Sequence, residues 1–555
     1  MNARFVALVA GVFFFFLAVV TQGILPFIEP SARTNRVTAV VRTDLGQLKW
    51  MVTEATDYTP LQELGRREYL LEGCWYCHSQ YVRPVTGETR RWGPVSEAGE
   101  YAYDVPHLFG TRRIGPDLTR VGLKYSDEWH LAHFWNPRQL SPDSIMSPYR
   151  GLFDTPEEPV KIVDDGAGNR TLDKTSDTAR LFDFTSKEQI KLTPNMDGLL
   201  FVPMQARGKF PIVWTPNKEY TGDTVTIAAE TEELEGLIAY VQKLGMNRGK
   251  WRDMFEPQQL AVTDATLPRS NEWIAYGKEV YERRCIGCHG AKGDGNGPAA
   301  TFIFNQRPRN FTLGVFKFRL TQKPVPTDGD LLRTITRGVR GTAMPAWYEL
   351  PLTDRLAVIQ YIKYELAVDR SEPAKPYAYF TEEPPGAPLY IGQPPPPSQQ
   401  IVARGKEVWQ NAKCWECHGN AGKGDGEKAP GLKDDFGFPS RPADLTSGQF
   451  KSGPAVGDIF RTMSTGLSGT PMPSYRDSLP EQDRWALAYY VVSLSSFKDP
   501  LTREPVPISA ADRAALNDPK LEAGTPDDAY VPGGGTMHRA AASGATLAVT
   551  LPKEE

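Results

Sequence analysis

The chain has 555 residues, which at roughly 150 per domain sets an expectation of three to four domains rather than one. Apolar residues make up 40% and charged ones 23%, and 63 Lys+Arg against 67 Asp+Glu leave a net charge of -4. That balance excludes global disorder and a nucleic-acid footprint, and 49 Gly with 47 Pro predict short helices joined by turn-rich loops.

The first predicted element is an apolar run. Residues 5–28 carry no charge and include Phe13 to Phe16, and these 24 residues are enough to cross a bilayer with some tilt. A cleaved signal peptide would have a shorter apolar region and a small-residue cleavage site, so residues 1–30 read as one transmembrane anchor. Ala7, Ala10 and Gly11 have the spacing of a helix-packing face. Arg4 precedes the run while Arg33, Arg36 and Arg42 follow it, so counting positive charges puts the bulk of the chain inside. The chemistry of the three Cys-x-x-Cys-His motifs at residues 74, 285 and 414, which is completed outside the cytoplasm, reverses that orientation. The expectation is a bacterial inner-membrane protein with its bulk in the periplasm.

A first domain is predicted over 50–250, and Cys74-Trp-Tyr-Cys77-His78 stands near its head. The arrangement returns as Cys285-Ile-Gly-Cys288-His289 and Cys414-Trp-Glu-Cys417-His418, so the three pairs use all six cysteines. C-x-x-C-H is the attachment pattern of c-type haem. Two thiols at this spacing add to the two vinyl groups of one porphyrin, and the adjoining histidine falls under the iron. Three covalently bound haems c are therefore expected, with His78, His289 and His418 as iron ligands. Structural zinc would pair the CxxC units with each other, but 208 and 126 residues separate them and each has its own histidine. A thioredoxin-like site would occur once, and a disulfide framework suits a short secreted chain.

Around each attachment site lies a repeat. A glycine and an aromatic four residues apart precede it: Gly65 and Tyr69, Gly277 and Tyr281, Gly405 and Trp409. Apolar helical stretches with Tyr240, Tyr361 and Tyr490 at matching places follow it. The helix before each haem is expected to cross the helix after it, with glycine permitting close approach and the aromatics filling the contact. Found three times in register, the pattern marks a repeated domain and resembles the class I cytochrome c fold. The predicted class is mainly α, with one transmembrane helix and three haem domains.

In the first domain Met146 is favoured as sixth iron ligand, with His130 and His133 as rivals on one helical stretch. Gly115-Pro116-Asp117-Leu118 resembles the cytochrome c segment whose proline carbonyl receives the proximal histidine N–H, which makes Pro116 the candidate acceptor. Arg83, Arg90, Arg91, Arg112 and Arg113 are candidates to pair haem propionates or a partner's carboxylates, with solvated surface arginines as the alternative. Residues 151–230 form an insertion with strand-like alternation at Thr224-Val-Thr-Ile-Ala.

A second domain is predicted over 270–367 and a third over 401–498. Met344 and Met472 lie 55 and 54 residues after His289 and His418, both within Gly-Thr-x-Met-Pro, and are the expected sixth ligands. Thioether ligation raises the haem potential and closes the iron to oxygen, which suits electron transfer. Met463 reads as core. The segments 307–312 and 441–446 are the candidate counterparts of the Pro116 segment. Gly293-Asp-Gly-Asn-Gly297 and Gly424-Asp-Gly426 lack the bidentate carboxylate of a calcium loop and read as tight turns. Between the domains, 368–400 reads as an extended Pro-rich linker, and 499–555 as a disordered tail.

Residues 58–150 closely resemble the membrane-anchored mono-haem cytochrome c subunit of cbb3-type cytochrome c oxidases. The match includes Tyr58-Thr-Pro-Leu, Gly65-Arg66, Glu72-Gly-Cys74 through Gln80, Ala98-Gly-Glu-Tyr-Ala-Tyr-Asp104, Gly115-Pro-Asp-Leu118, Tyr125-Ser-Asp-Glu-Trp-His130 and Asn136-Pro-Arg138. The resemblance implies haem c on Cys74 and Cys77, His78 and Met146 as ligands, and a membrane-embedded haem–copper catalytic subunit as partner. Two further haem domains extend that pattern into a fusion, with a soluble cytochrome c or similar protein as donor. No catalytic centre is expected on the chain itself. A nitric oxide reductase cytochrome subunit and a free-standing membrane-bound carrier remain the alternatives.

Overall fold

The computed structural model describes residues 2–496, apart from 86–87, 157, 165–169, 174, 176–189, 193, 196, 204–211, 215–219, 221, 256–264, 305, 322 and 324. The expected tail, 499–555, lies outside the described residues. The fold is mostly helical with small sheets.

Ala3–Ile28 is one helix of 26 residues, long and apolar enough to cross a membrane. None of its residues is buried, and Phe13 to Phe16 are all exposed. Its ladder widens to a π-turn over Val19–Ile24, next to Pro26, which has no N–H to donate.

The chain then forms an antiparallel hairpin, Arg36–Arg42 with Leu48–Glu54. Arg36–Arg42 is buried at every position but the first, because the first repeated domain wraps it. The Thr38 N–H donates to Glu97 at 2.8 Å, and Arg248 donates to the Thr38 carbonyl at 2.6 Å. The hairpin is thus an integral part of a domain that sequence reading began only at residue 50.

Each of the three repeated domains has a leading helix, a CxxCH turn, a middle helix and a closing helix. The leading helices are Pro60–Leu71, Asn271–Arg284 and Gln399–Asn411, started by Thr59, Ser270 and Ser398, whose side chains cap the first turn. The middle helices are Asp127–Trp135, Asp328–Arg337 and Val456–Thr465. The closing helices are Glu232–Lys243, Leu352–Tyr361 and Glu481–Ser493.

Leading and closing helices cross at the glycines. A Cβ on Gly65, Gly277 or Gly405 would overlap the backbone carbonyl of Gly236, Ala357 or Ala486 respectively. Only glycine allows this approach, and the buried aromatics seal the crossing.

The insertion after residue 150 contributes a sheet in the order Phe153–Asp154, Thr224–Glu230, Val160–Asp164, Arg170–Leu172, with Leu199–Val202 parallel to Thr224–Glu230. It joins the first domain to the second. The Phe201 N–H donates to Thr301 Oγ1 at 3.1 Å, Asn195 donates to the Pro298 carbonyl at 3.1 Å, and the Phe201 and Phe302 rings meet at 4.9 Å.

The Pro-rich stretch packs as a strap along its neighbours. Val368–Asp369 pairs with Tyr377–Ala378, Phe380 is buried in the second core, and the Leu389 N–H donates to the Leu320 carbonyl at 2.7 Å. Tyr489 of the third domain donates to the Pro395 carbonyl at 2.5 Å. Proline composition anticipated the extended backbone, whereas the packing depends on a few apolar residues among the prolines.

Candidate functional site

Each CxxCH turn leaves its leading helix in the same way. The N–H of His78, His289 and His418 donates to the carbonyl of Cys74, Cys285 and Cys414 at 3.0, 2.9 and 3.0 Å, which holds the imidazole beside the cysteine pair. No disulfide joins any of the six cysteines. Burial pushes Cys74, Cys285 and Cys288 up to about 12 and Cys414 up to about 11, the opposite of an activated thiolate. Burial also lowers His78, His289 and His418, so the imidazoles are neutral and available as ligands.

Behind each imidazole lies a backbone carbonyl. His78 Nδ1 is 2.8 Å from the Pro116 oxygen, and His289 Nδ1 is 3.0 Å from the Arg309 oxygen. His418 faces the Ala443 carbonyl, although its Nδ1 does not close a full hydrogen bond. A Cβ on Gly115 would run into the His78 ring, so glycine is required there.

The acceptors in the later domains are the residues after Pro308 and Pro442, within the expected segments but one place beyond the proline. The shared signal is the following triplet, Asp117-Leu-Thr119, Asn310-Phe-Thr312 and Asp444-Leu-Thr446. In each, the Asp or Asn side chain accepts the threonine N–H, at 2.9, 2.9 and 2.8 Å. This turn presents the preceding carbonyl to the histidine.

The three methionine loops share two further bonds. The N–H of Met146, Met344 and Met472 donates to the hydroxyl two residues before it, Ser144, Thr342 or Thr470, at 3.2, 3.2 and 3.3 Å. Three residues after each methionine, Tyr149, Trp347 and Tyr475 donate their N–H to the middle helix, at Phe134, Ile335 and Met463. Met146 therefore shares the backbone frame of the other two despite its longer spacing of 68 residues from His78. Met463 is buried in the third core.

His133 is within electrostatic range of His78, and His130 within range of His133. His133 stacks on Trp129 at 4.6 Å and is lowered to about 4, by burial and then by the nearby His78; burial lowers His130 to about 3. His130 Nε2 and His133 Nδ1 are buried without a hydrogen-bond partner, as is Trp409 Nε1 in the third domain. Buried polar atoms without partners call for a group that supplies them. Together with the neutral imidazoles beside the cysteine pairs, they fit an iron porphyrin.

The arginines near the first site are mostly committed elsewhere. Arg113 donates to Glu88, Ser79 and the Tyr81 carbonyl, Arg83 pairs with Glu88, and Arg91 lies 5.1 Å over the Trp92 ring. Ser79 in turn donates to Asp117 at 2.6 Å, which ties this network to the loop behind His78.

Residues 39–247, which hold the first of these CxxCH turns, match the family described as Cytochrome C oxidase, mono-heme subunit/FixO. Residues 274–362 match Cytochrome C oxidase, cbb3-type, subunit III, and residues 402–495 match Cytochrome c. The chain is a FixO-type subunit fused to further cytochrome c domains. The FixO-type segment begins inside the hairpin that the fold adds to the first domain. Cytochrome c domains bind haem c covalently, and the FixO and cbb3 matches make this an electron-transfer cytochrome of the cbb3 oxidase type, associated with the membrane and the oxidase catalytic subunit. A chain of the Kuenenia stuttgartiensis reducing HAO-like protein complex is 35% identical over 42% of this chain and 99% of its own, with a TM-score of 0.36. No curated protein sequence matches the chain.

Proposed function

We propose that the chain is a membrane-tethered cytochrome with three haems that conveys electrons from a soluble donor, such as a small cytochrome c, to the haem–copper catalytic subunit of a cbb3-type oxidase. The observation that carries this reading is the threefold recurrence of one side-chain set: a CxxCH turn, a carbonyl facing the histidine Nδ1, and a methionine whose N–H is held by the hydroxyl two residues before it.

Cys74 and Cys77, Cys285 and Cys288, and Cys414 and Cys417 would hold the three haems, with His78 and Met146, His289 and Met344, and His418 and Met472 as the side chains that would ligate the irons. Haem c held in this way would supply one-electron exchange at a raised potential. The chain's own residues set its environment. The Pro116 and Arg309 carbonyls fix the imidazole rings and raise their basicity, and the sealed helix crossings exclude water.

Domain contacts relate the sites to one another. Arg284, directly before Cys285, pairs with Asp143 at 3.4 Å, and Gly287 lies against the Gln139 carbonyl. The second attachment turn therefore adjoins the loop that carries Met146, while the third domain also touches the first, where Lys250 donates to the Ser447 carbonyl and Gly46 lies against Val492. The donor docks on the second or third domain. The anchor holds the first domain at the periplasmic face of the inner membrane.

Haem content tests the reading. A pyridine haemochrome assay on the denatured, solvent-extracted chain is expected to give three haems c, and two after replacement of Cys285 and Cys288 by serine. One or two in the unaltered chain overturns it.

The partnerless His133 Nδ1 favours a second reading for one position, ligation of the first iron by His133 instead of Met146. Met146→Ala and His133→Ala distinguish them, since only loss of the true ligand alters the axial-ligand spectrum.

A further inference from the structure

The second and third domains meet around a cavity lined by equivalent residues from each. Lys317 and Lys451 each follow a buried phenylalanine and stand five residues after Thr312 and Thr446. Arg333 and Arg461 occupy the same place in Asp-x-x-Arg-Thr of the two middle helices. Arg333, Arg337, Lys451 and Arg461 line the cavity, and Lys317 lies within electrostatic range of Lys451.

The cavity holds more positive than negative charge. Its walls also carry Arg319, and its nearest carboxylates are Asp330, Asp434 and Asp458. Asp330 is engaged by the Leu320 and Thr327 N–H groups, and Asp434 by those of Phe436 and Phe438. Asp458 is shared between Arg337 at 3.3 Å and Arg461 at 2.9 Å. The Nε atoms of both Arg333 and Arg461 are buried with no partner. Burial and then its neighbour Lys451 push Lys317 down to about 7, burial pushes Lys451 down to about 8, and burial and then Arg461 push Arg333 down to about 10. Such a cluster lacks anions.

Each lysine is linked to the histidine of its own domain. Phe316 stacks on Phe311 at 6.0 Å, and Phe311 stacks on His289 at 4.7 Å; Lys451 is within electrostatic range of His418. In a haem c the vinyl edge is tied to the cysteines and the propionates leave the opposite edge.

We infer that Lys317, Arg333, Lys451 and Arg461 form one chamber that takes the propionate carboxylates of both the second and the third haem. The inference rests on the three-haem reading above. It gives the second site opposed neighbours, with its cysteine edge toward the first domain and its propionate edge toward the third. A cation shared by both sites favours the reduced state of each.

The test is a spectroelectrochemical titration of the full chain in detergent, with the second and third haems assigned through Met344→His and Met472→His backgrounds. Lys317→Met is expected to lower the midpoint potentials of both haems and leave the first unchanged. The expected effect is on the order of tenfold in the reduced-to-oxidised ratio at fixed potential, about 59 mV for one electron. Lys317→Arg restores both values. Lys451→Met gives the same paired shift, so a folding failure in one variant leaves the other as the test. A shift confined to one haem, or none, overturns the inference. So does a wild-type potential that depends on added inorganic phosphate, with the dependence lost in Lys317→Met, since the chamber then takes a free oxyanion. A haem count below three in the same wild-type preparation defeats the three-haem reading instead, and the two failures are separable.

Discussion

The rings of Tyr281 and Tyr361 meet at 5.3 Å and 59°, the same distance and tilt at which Tyr69 meets Tyr240 in the first domain. Trp409 and Tyr490 repeat the contact at 5.6 Å and 66°. One turn before Tyr69, Tyr281 and Trp409 stand Gly65, Gly277 and Gly405, each against a carbonyl of the closing helix. Three domains with different loops thus use one crossing.

That crossing predicts the effect of adding a methyl group. At Gly277 and Gly405 the obstacle is backbone, which cannot rotate aside. Gly277→Ala and Gly405→Ala are each expected to cost about 1–3 kcal/mol. Denaturant titration of the single variants checks this, and a change below about 0.5 kcal/mol contradicts it.

The methionine loops give a spectroscopic prediction. Replacing Met146, Met344 or Met472 by leucine, one at a time, is expected to remove about a third of the methionine-to-iron charge-transfer absorption of the oxidised protein and to lower one of three midpoint potentials. Met463→Leu, a core change, is expected to leave both unaltered and cost less than about 1.5 kcal/mol.

Acid acts on the network behind His78. Arg113, then Arg83, holds the buried Glu88 carboxyl down at about 2, against an ordinary 4.5. A carboxyl depressed in the folded state stabilises fully above its unfolded value and loses that contribution as pH falls. The first domain is therefore expected to weaken between about pH 4.5 and pH 2. Glu88→Gln should be less stable at pH 7 and flatter across that window. Thermal unfolding at a series of pH values measures both.

The insertion predicts a local effect. Thr301 accepts the buried Phe201 N–H, and Thr301→Val leaves that donor unpaired at a cost of about 1–3 kcal/mol. Hydrogen exchange should speed up over Leu199–Val202 while the third domain stays protected. Unchanged exchange there contradicts a bridging role for the insertion.

Much of this was legible in the sequence, because haem attachment fixes residue type and spacing together. The CxxCH turns, the glycine-aromatic pairs and the Gly-Thr-x-Met-Pro loops are local and repeated. Other features depend on distant contacts. Arg36–Arg42 is buried on both faces and so lacks the alternation that marks a half-exposed strand. Phe380 holds the strap to the second core from among prolines that read as a spacer. The carbonyls behind His289 and His418 belong to Arg309 and Ala443, residues whose side chains say nothing of that role; the legible signal was the Asp/Asn-x-Thr turn after them. The arginines near the first site offered several partners in sequence, and only the fold brings Arg113 to Glu88 at 2.6 Å.

The central claim is that this chain feeds electrons to a cbb3-type oxidase, and co-purification tests it most directly. The complex is isolated in mild detergent through an affinity tag on this chain. Reduced-minus-oxidised and CO-difference spectra are then recorded, followed by oxygen and nitric oxide consumption on the same sample. The account predicts haem b beside haem c, a CO-reactive centre and cyanide-sensitive oxygen uptake. Haem c alone from an intact preparation, or nitric oxide turnover with little oxygen uptake, would contradict it.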